Sequence, residues 1–231
     1  MLAVLRALLL DFNGVLVDDE PLHFELFRRV LAEEGLELSE RDYYERYLGF
    51  DDRGAFLAKL ADAGRPAEPP QVARLIARKA AYYQELIHRR GYPFFPGARE
   101  LVRAAAADGL RLGVVSGALR EEVAGALAQA GLSGLVPILV TAEDVAESKP
   151  HPEGYLLALE LLNSVPPLPE RLIHPHEVLA IEDSPAGLES AAAAGLLTLG
   201  VAHTYAGGRL QADATVDTLE GLTVAELERM L

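Results

Sequence analysis

Four short segments of the sequence set carboxylates, a hydroxyl and an amine at the ends of apolar runs. They are Asp11-Phe12-Asn13-Gly14-Val15-Leu16-Val17-Asp18, Val114-Val115-Ser116-Gly117, Ser148-Lys149-Pro150 and Ile181-Glu182-Asp183-Ser184. Asp11 and Asp183, with Glu182 beside them, suit a hard cation such as Mg²⁺, which takes oxygen ligands and keeps room for phosphate and water. A carboxylate can attack phosphorus, and the acyl phosphate it forms splits one hard step into two. Ser116, next to Gly117 and a helix start, can donate to phosphate oxygens together with backbone N–H groups. Lys149 offers a point charge for the carboxylate and for a transferring phosphoryl group. Taken together, the set points to phosphoryl transfer with Asp11 as nucleophile. Taken singly, each part is ordinary: Asp before Gly is usually a turn, and Ser184-Pro185 reads as a helix N-cap with proline in the first turn.

These segments need elements that bring them together. A first strand is predicted over Ala7–Phe12, an apolar run ending at a glycine turn. From Pro21 to Arg90 the pattern is helical only: Leu22, Leu26, Val30 and Leu31 recur at helical spacing, with Gly35 as a stop. Further helices are predicted at Glu40–Leu48, Arg53–Ala63 and Pro70–Arg89, broken at Gly49, Gly64-Arg65-Pro66 and Pro69-Pro70. From Gly97 onward, helices alternate with apolar runs. The helices are Gly97–Asp108, Leu119–Ala130, Pro152–Leu162 and Pro185–Ala194; the runs are Leu112–Ser116, Val136–Val140, Val178–Ile181 and Leu197–Val201. Asn163–His176 reads as a proline-rich surface connection. This alternation predicts an α/β fold: a Rossmann-like core whose parallel sheet carries helices on both faces, with a helical insert after the first strand. The expected division is 1–18 with 93–231 for the core and 19–92 for the insert, with hinges near Asp18–Pro21 and Gly91–Pro96. In such sheets ligands bind beyond the carboxyl ends of the strands, where the four segments would lie.

Composition narrows the classes. Half of the 231 residues are hydrophobic, enough for a sizeable core, and the formal charge is −14. So acidic a chain argues against nucleic acid as a partner. It does not argue against a small phosphorylated metabolite, because a metal and local positive charge override the global field. There are no cysteines, so disulfides, thiolate catalysis and cysteine zinc sites are excluded. The apolar stretch 2–10 is broken by Arg6 and runs into Asp11, which favours a buried strand over a signal peptide. No stretch reaches the ~20 apolar residues of a membrane span. A soluble cytoplasmic protein is the expectation, monomer or homodimer.

At this point the sequence resembles the haloacid dehalogenase-like superfamily over nearly its whole length. Gly14-Val15-Leu16-Val17-Asp18-Asp19-Glu20-Pro21-Leu22-His23 after Asp11 is similar to the opening of its phosphatase and β-phosphoglucomutase branch. So are Ser148-Lys149-Pro150-His151-Pro152-Glu153-Gly154-Tyr155 and Glu182-Asp183-Ser184-Pro185-Ala186-Gly187. The helical insert looks like the family's small α-helical cap. The resemblance implies roles. Asp11 would be nucleophile and metal ligand. Asn13 would lend its backbone carbonyl to Mg²⁺. Ser116 and Lys149 would hold phosphate, with Gly117 alongside, and Glu182 and Asp183 would complete the metal site. His23 and Lys79 would reach substrate from the cap; the alternatives are a packed histidine and a solvated lysine. Arg53, Tyr43, Tyr44, Tyr47 and Phe50 would either face substrate or pack the cap.

One residue departs from the family pattern. Phosphatases and mutases of this branch carry Asp two residues after the nucleophile, as the proton carrier; here the residue is Asn13. An amide neither gives nor takes that proton near neutral pH. Four explanations stay open: an engineered substitution, a reaction that manages with good leaving groups or with His23 as acid, slow deamidation at Asn13-Gly14, or a catalytically weak phosphate-binding module. The implied activity is that of an Mg²⁺-dependent phosphatase of sugar phosphates or phosphoglycolate-like compounds. The alternatives are a β-phosphoglucomutase-like phosphomutase and a 2-haloacid dehalogenase.

Overall fold

The first strand, β1, covers Ala7–Leu10, and all four of its side chains are buried. It is shorter than the apolar run suggests because the chain turns at Phe12, whose carbonyl accepts from both Leu16 N and Val17 N. The structure is a computed structural model that describes residues 4–48, 50, 52–205 and 207–231; the expected break at Gly49 lies outside them.

Alternation of helix and strand produces the expected sheet. After β1 and the helical insert come α5 (Ala98–Ala107), β2 (Arg111–Val115), α6 (Arg120–Gln129), β3 (Ile138–Val140) and α7 (Glu153–Ser164). Then follow β4 (Val178–Glu182), α8 (Pro185–Ala193), β5 (Leu197–Val201), β6 (Ala214–Val216) and α9 (Val224–Met230). The strands pair in parallel in the order β3-β2-β1-β4-β5-β6. Successive residues of a strand face opposite sides of the sheet. Leu8 and Leu10 of β1, with Leu179 and Ile181 of β4, pack under α5, α6 and α9. Ala7 and Leu9, with Val178 and Ala180, pack under α7 and α8. Strands buried on both faces are apolar throughout, which is why they read as runs rather than as alternation. The result is a Rossmann-like α/β core. The chain runs from β1 outward to β3 and then crosses to β4 on the other side, so a topological switch point lies between β1 and β4.

By contacts the chain divides into two units: residues through Asp18 together with Tyr92–Leu231, and Asp19–Gly91. Tyr92 falls with the first unit, its ring edge-on to Phe12 at 6.4 Å.

The second unit is helical: α1 (Glu20–Glu33), α2 (Glu40–Asp42), α3 (Asp52–Asp62) and α4 (Pro69–Arg90). The helix expected over Glu40–Leu48 is α2 followed by a π-helical turn, Tyr43–Tyr47. Three phenylalanines, Phe24, Phe27 and Phe50, lie against this turn, and two of its tyrosines satisfy their hydroxyls within the unit. Tyr43 donates to Glu20 Oε1 at 2.5 Å and Tyr47 to Asp62 Oδ2 at 2.5 Å. Both rings are buried in a core with Phe27, Phe56, Leu60 and Leu75. Of the two readings for the aromatic residues, Tyr43 and Tyr47 therefore follow the packing one, whereas Tyr44 and Phe50 are exposed.

Two elements near the end of the chain were not anticipated, β6 and α9. The connection after α7 is as irregular as expected, but it is tied down. The Asn163 side chain brackets Ile173, accepting from its N–H and donating to its carbonyl. No helix of the described residues is long and apolar enough to cross a membrane.

Candidate active site

Around the switch point the ends of β1 and β4 bring three carboxylates together. Asp11 follows β1, its N–H bonded to Ile181 O, so it still lies in the ladder while its side chain leaves the sheet edge. Glu182 is the last residue of β4 and Asp183 the next. One carboxylate oxygen from each of Asp11, Glu182 and Asp183 lies within 4.8 Å of the others.

Lys149 comes from the loop before α7 and binds this cluster. Its Nζ lies 2.9 Å from Asp11 Oδ1 and 2.7 Å from Glu182 Oε1, and it donates to Val115 O at 2.8 Å. Burial works against the ammonium charge, but Asp11 and Glu182 outweigh it and hold the lysine well above its ordinary pKa. Burial, and then the charge of Asp11, pushes Glu182 up to about 8 and Asp183 to about 7. With all three carboxylates ionised, two negative charges would stand in excess of the one ammonium, a balance that a divalent cation would close.

Two glycines make room for this crowding. Gly14 has φ +79°, and a Cβ there would sit 1.9 Å from Asp183 Oδ2. A Cβ on Gly187 would sit 1.9 Å from Glu182 Oε2. These positions admit only glycine because carboxylates press on the backbone.

The donor set fits Mg²⁺ in kind, being oxygen only. A second observation agrees. Glu182 is fully buried, and among the described residues its Oε2 has no hydrogen-bond partner, although Oε1 has two, Tyr155 and Lys149. An orphaned buried carboxylate oxygen is costly unless something positive meets it.

The residue pattern matches the family model described as haloacid dehalogenase-like hydrolase over residues 5–195. The chain belongs to the haloacid dehalogenase-like hydrolases. Among this family's members, the phosphorylated carbohydrates phosphatase of Thermotoga maritima is 30% identical over 213 residues, 91% of each chain. A plasmid-borne phosphoglycolate phosphatase of Cupriavidus necator is 30% identical over 222 residues, 94% of this chain and 90% of that protein. The crystal structure of CbbY from Rhodobacter sphaeroides in complex with phosphate superposes with a TM-score of 0.80 at 25% identity. That match covers 97% of this chain and all of that one.

Within this hydrolase core, the remaining expected residues take distinct places. Ser116 is buried after β2, its N–H on Val140 O and its hydroxyl accepting from Ala118 N at 3.1 Å. Gly117 is exposed, with open space where a side chain would be. Asn13 forms an isolated bridge with Val17, and Gly14 N donates to Val17 O, so the turn after Asp11 is closed on itself.

In the helical unit, Lys79 is not the solvated lysine of the simpler reading. It is 2% exposed and donates to Asp52 Oδ1 at 2.5 Å and to His23 Nδ1 at 2.8 Å. An ammonium only donates, so His23 Nδ1 accepts and its proton is on Nε2, which faces Asp19 Oδ2 at 3.3 Å. The ring stacks on Tyr83. Arg53 is exposed; the residue paired with Lys79 is its neighbour Asp52, which sequence reasoning passed over.

Three further residues were also missed. Tyr155 donates to Glu182. His203, after β5, stacks on Phe95 and donates from Nδ1 to Gly14 O at 2.8 Å, and Thr204 hydrogen-bonds Asp183. The only signal for His203 and Thr204 was their place just beyond a strand end, the same signal that drew attention to Asp11 and Asp183.

Proposed function

We propose that this chain is an Mg²⁺-dependent phosphatase of small phosphorylated metabolites, sugar phosphates or phosphoglycolate-like compounds, and that Asp11 is its nucleophile. The observation that carries the reading is the joining of Asp11, Glu182, Asp183 and Lys149 at the switch point, with a buried Glu182 oxygen left unpaired. The names of the similar phosphatases support the substrate class.

In the proposed reaction, an Asp11 oxygen attacks phosphorus as the bond to the departing oxygen breaks, leaving an aspartyl-phosphate. Lys149 keeps Asp11 aimed and neutralises charge on the phosphoryl oxygens. Ser116 and the exposed backbone at Gly117 donate to those oxygens. Asp11, Glu182, Asp183 and the Asn13 carbonyl would hold Mg²⁺, which when bound supplies positive charge toward both the carboxylates and the phosphate. Water then attacks the aspartyl-phosphate, releasing phosphate and restoring Asp11. The helical unit is the proposed source of specificity, with the exposed Arg53 as a polar contributor and the buried Lys79 holding Asp52 and His23 in place. A cytoplasmic setting suits such substrates.

Phosphate release from a panel of phosphorylated metabolites, measured with and without chelator, tests this reading. Turnover is expected to fall to background in excess chelator and to return with Mg²⁺. Undiminished phosphate release in excess chelator would overturn the metal-dependent reading, whereas halide release from a 2-haloacid with no phosphate release from any substrate would favour carbon–halogen displacement.

A further inference from the structure

We propose that Tyr155 is a positioning residue for the cation site: its hydroxyl fixes the Glu182 carboxylate so that Oε2 is the oxygen left for the metal. The proposal rests on the metal-dependent reading above and adds to it a residue that touches neither substrate nor metal.

Tyr155 stands in the first turn of α7, wholly buried on the side of the sheet that packs α7 and α8. A tyrosine fully buried among Ala7, Leu9, Val115 and Ala180 needs a partner for its hydroxyl. It reaches through the apolar layer to the end of β4 and donates to Glu182 Oε1 at 2.5 Å. Lys149 Nζ contacts the same oxygen at 2.7 Å and lies 5.6 Å from the centre of the Tyr155 ring. The other oxygen, Oε2, is buried without a hydrogen bond, hard against Gly187. Among the described residues the two oxygens are thus sorted: one takes both donors, Tyr155 and Lys149, and the other takes none.

Lys149 cannot do this sorting alone. Its ammonium is shared among Asp11, Glu182 and the carbonyl of Val115, and its contact with Asp11 is the one that chemistry would disturb. Tyr155 holds Glu182 from the core side, on a rigid aromatic lever with two side-chain torsions. Groups that orient a metal-bound carboxylate from outside typically change metal affinity about 10–100-fold when removed.

Tyr155→Phe keeps the ring and removes only the hydroxyl. The test is calorimetric titration of the full-length, chelator-stripped parent and variant with MgCl₂, beside the melting temperatures of both without metal. Mg²⁺ affinity is expected to fall by about tenfold or more, with metal-free melting close to the parent's. The Mg²⁺ concentration that half-saturates phosphate release should rise by the same factor. Equal affinity in parent and variant would overturn the assignment, as would a variant that no longer folds, since Tyr155 would then serve the core alone. Absence of Mg²⁺ binding in the parent would instead sink the metal reading itself, and this proposal with it.

Discussion

Asp11→Asn is expected to cut hydrolysis of any phosphorylated substrate by at least about 10⁴-fold, the scale seen when a covalent nucleophile is removed, while the protein still folds. The amide has nearly the same shape but is a poor nucleophile toward phosphorus, and no other carboxylate can replace it. Glu182 is fixed by Tyr155 and Lys149, and Asp183 is pressed against Gly14. Two effects on stability oppose each other. The substitution weakens a 2.9 Å ion pair with Lys149, but the lysine keeps Glu182 at 2.7 Å. It also removes the charge that, after burial, does most to raise Glu182 and Asp183. Relief of that repulsion offsets the lost pair, so metal-free melting should change little. Rates measured with purified variant and parent decide the matter; retention of most activity would remove Asp11 from its role.

Asn13→Asp is expected to raise turnover, which is unusual for a substitution at an active site. The position follows the nucleophile by two residues, in the turn closed by the Gly14–Val17 bond. A carboxyl group there can protonate a departing alkoxide and later take a proton from water; such help typically contributes ~10²–10⁴-fold. The gain should be largest for alkyl phosphates, whose leaving groups need the proton. It should be smaller in the first step for activated aryl phosphates, which depart without one. The added negative charge beside Asp11, Glu182 and Asp183 should also make the variant lean more heavily on Mg²⁺. The measurement is kcat/KM for one alkyl and one aryl phosphate in both proteins, freshly prepared and checked by mass for deamidation at Asn13-Gly14. Equal rates would mean that another group carries the proton, with His23 the first to test.

The core was legible because its signals are local and strong. Strands buried on both faces read as apolar runs, and the residues that end them, Asp11, Ser116 and Asp183, stand where the sheet stops. Ser184 caps α8 by accepting from Gly187 N, as Ser-Pro before a helix suggests. Less visible features depend on tertiary contacts. The pairing of Lys79 with Asp52 joins residues 27 apart in sequence, and a buried helical lysine has the same local pattern as an exposed one. The π-helical turn at Tyr43–Tyr47 arises from packing and from tyrosine hydroxyls that find Glu20 and Asp62, not from spacing. Strand β6 is only Ala214–Val216 and half exposed, so it has no apolar run to read. Helix α9, by contrast, carried a readable sign. Thr223 and Glu226 form a reciprocal capping box, with both side chains bonded to backbone N–H groups.

The claim that Asp11 becomes phosphorylated is tested most directly by trapping the intermediate. The parent protein, turning over an activated aryl phosphate with Mg²⁺, is quenched in acid and its peptides are weighed. With Asn13 unable to activate water, the second step should be slow and the aspartyl-phosphate should accumulate. One phosphoryl group is therefore expected on the peptide that carries Asp11, absent from the Asp11→Asn variant and less abundant in Asn13→Asp. Steady turnover with no phosphoryl group on that peptide, or with one on any other residue, would contradict the account.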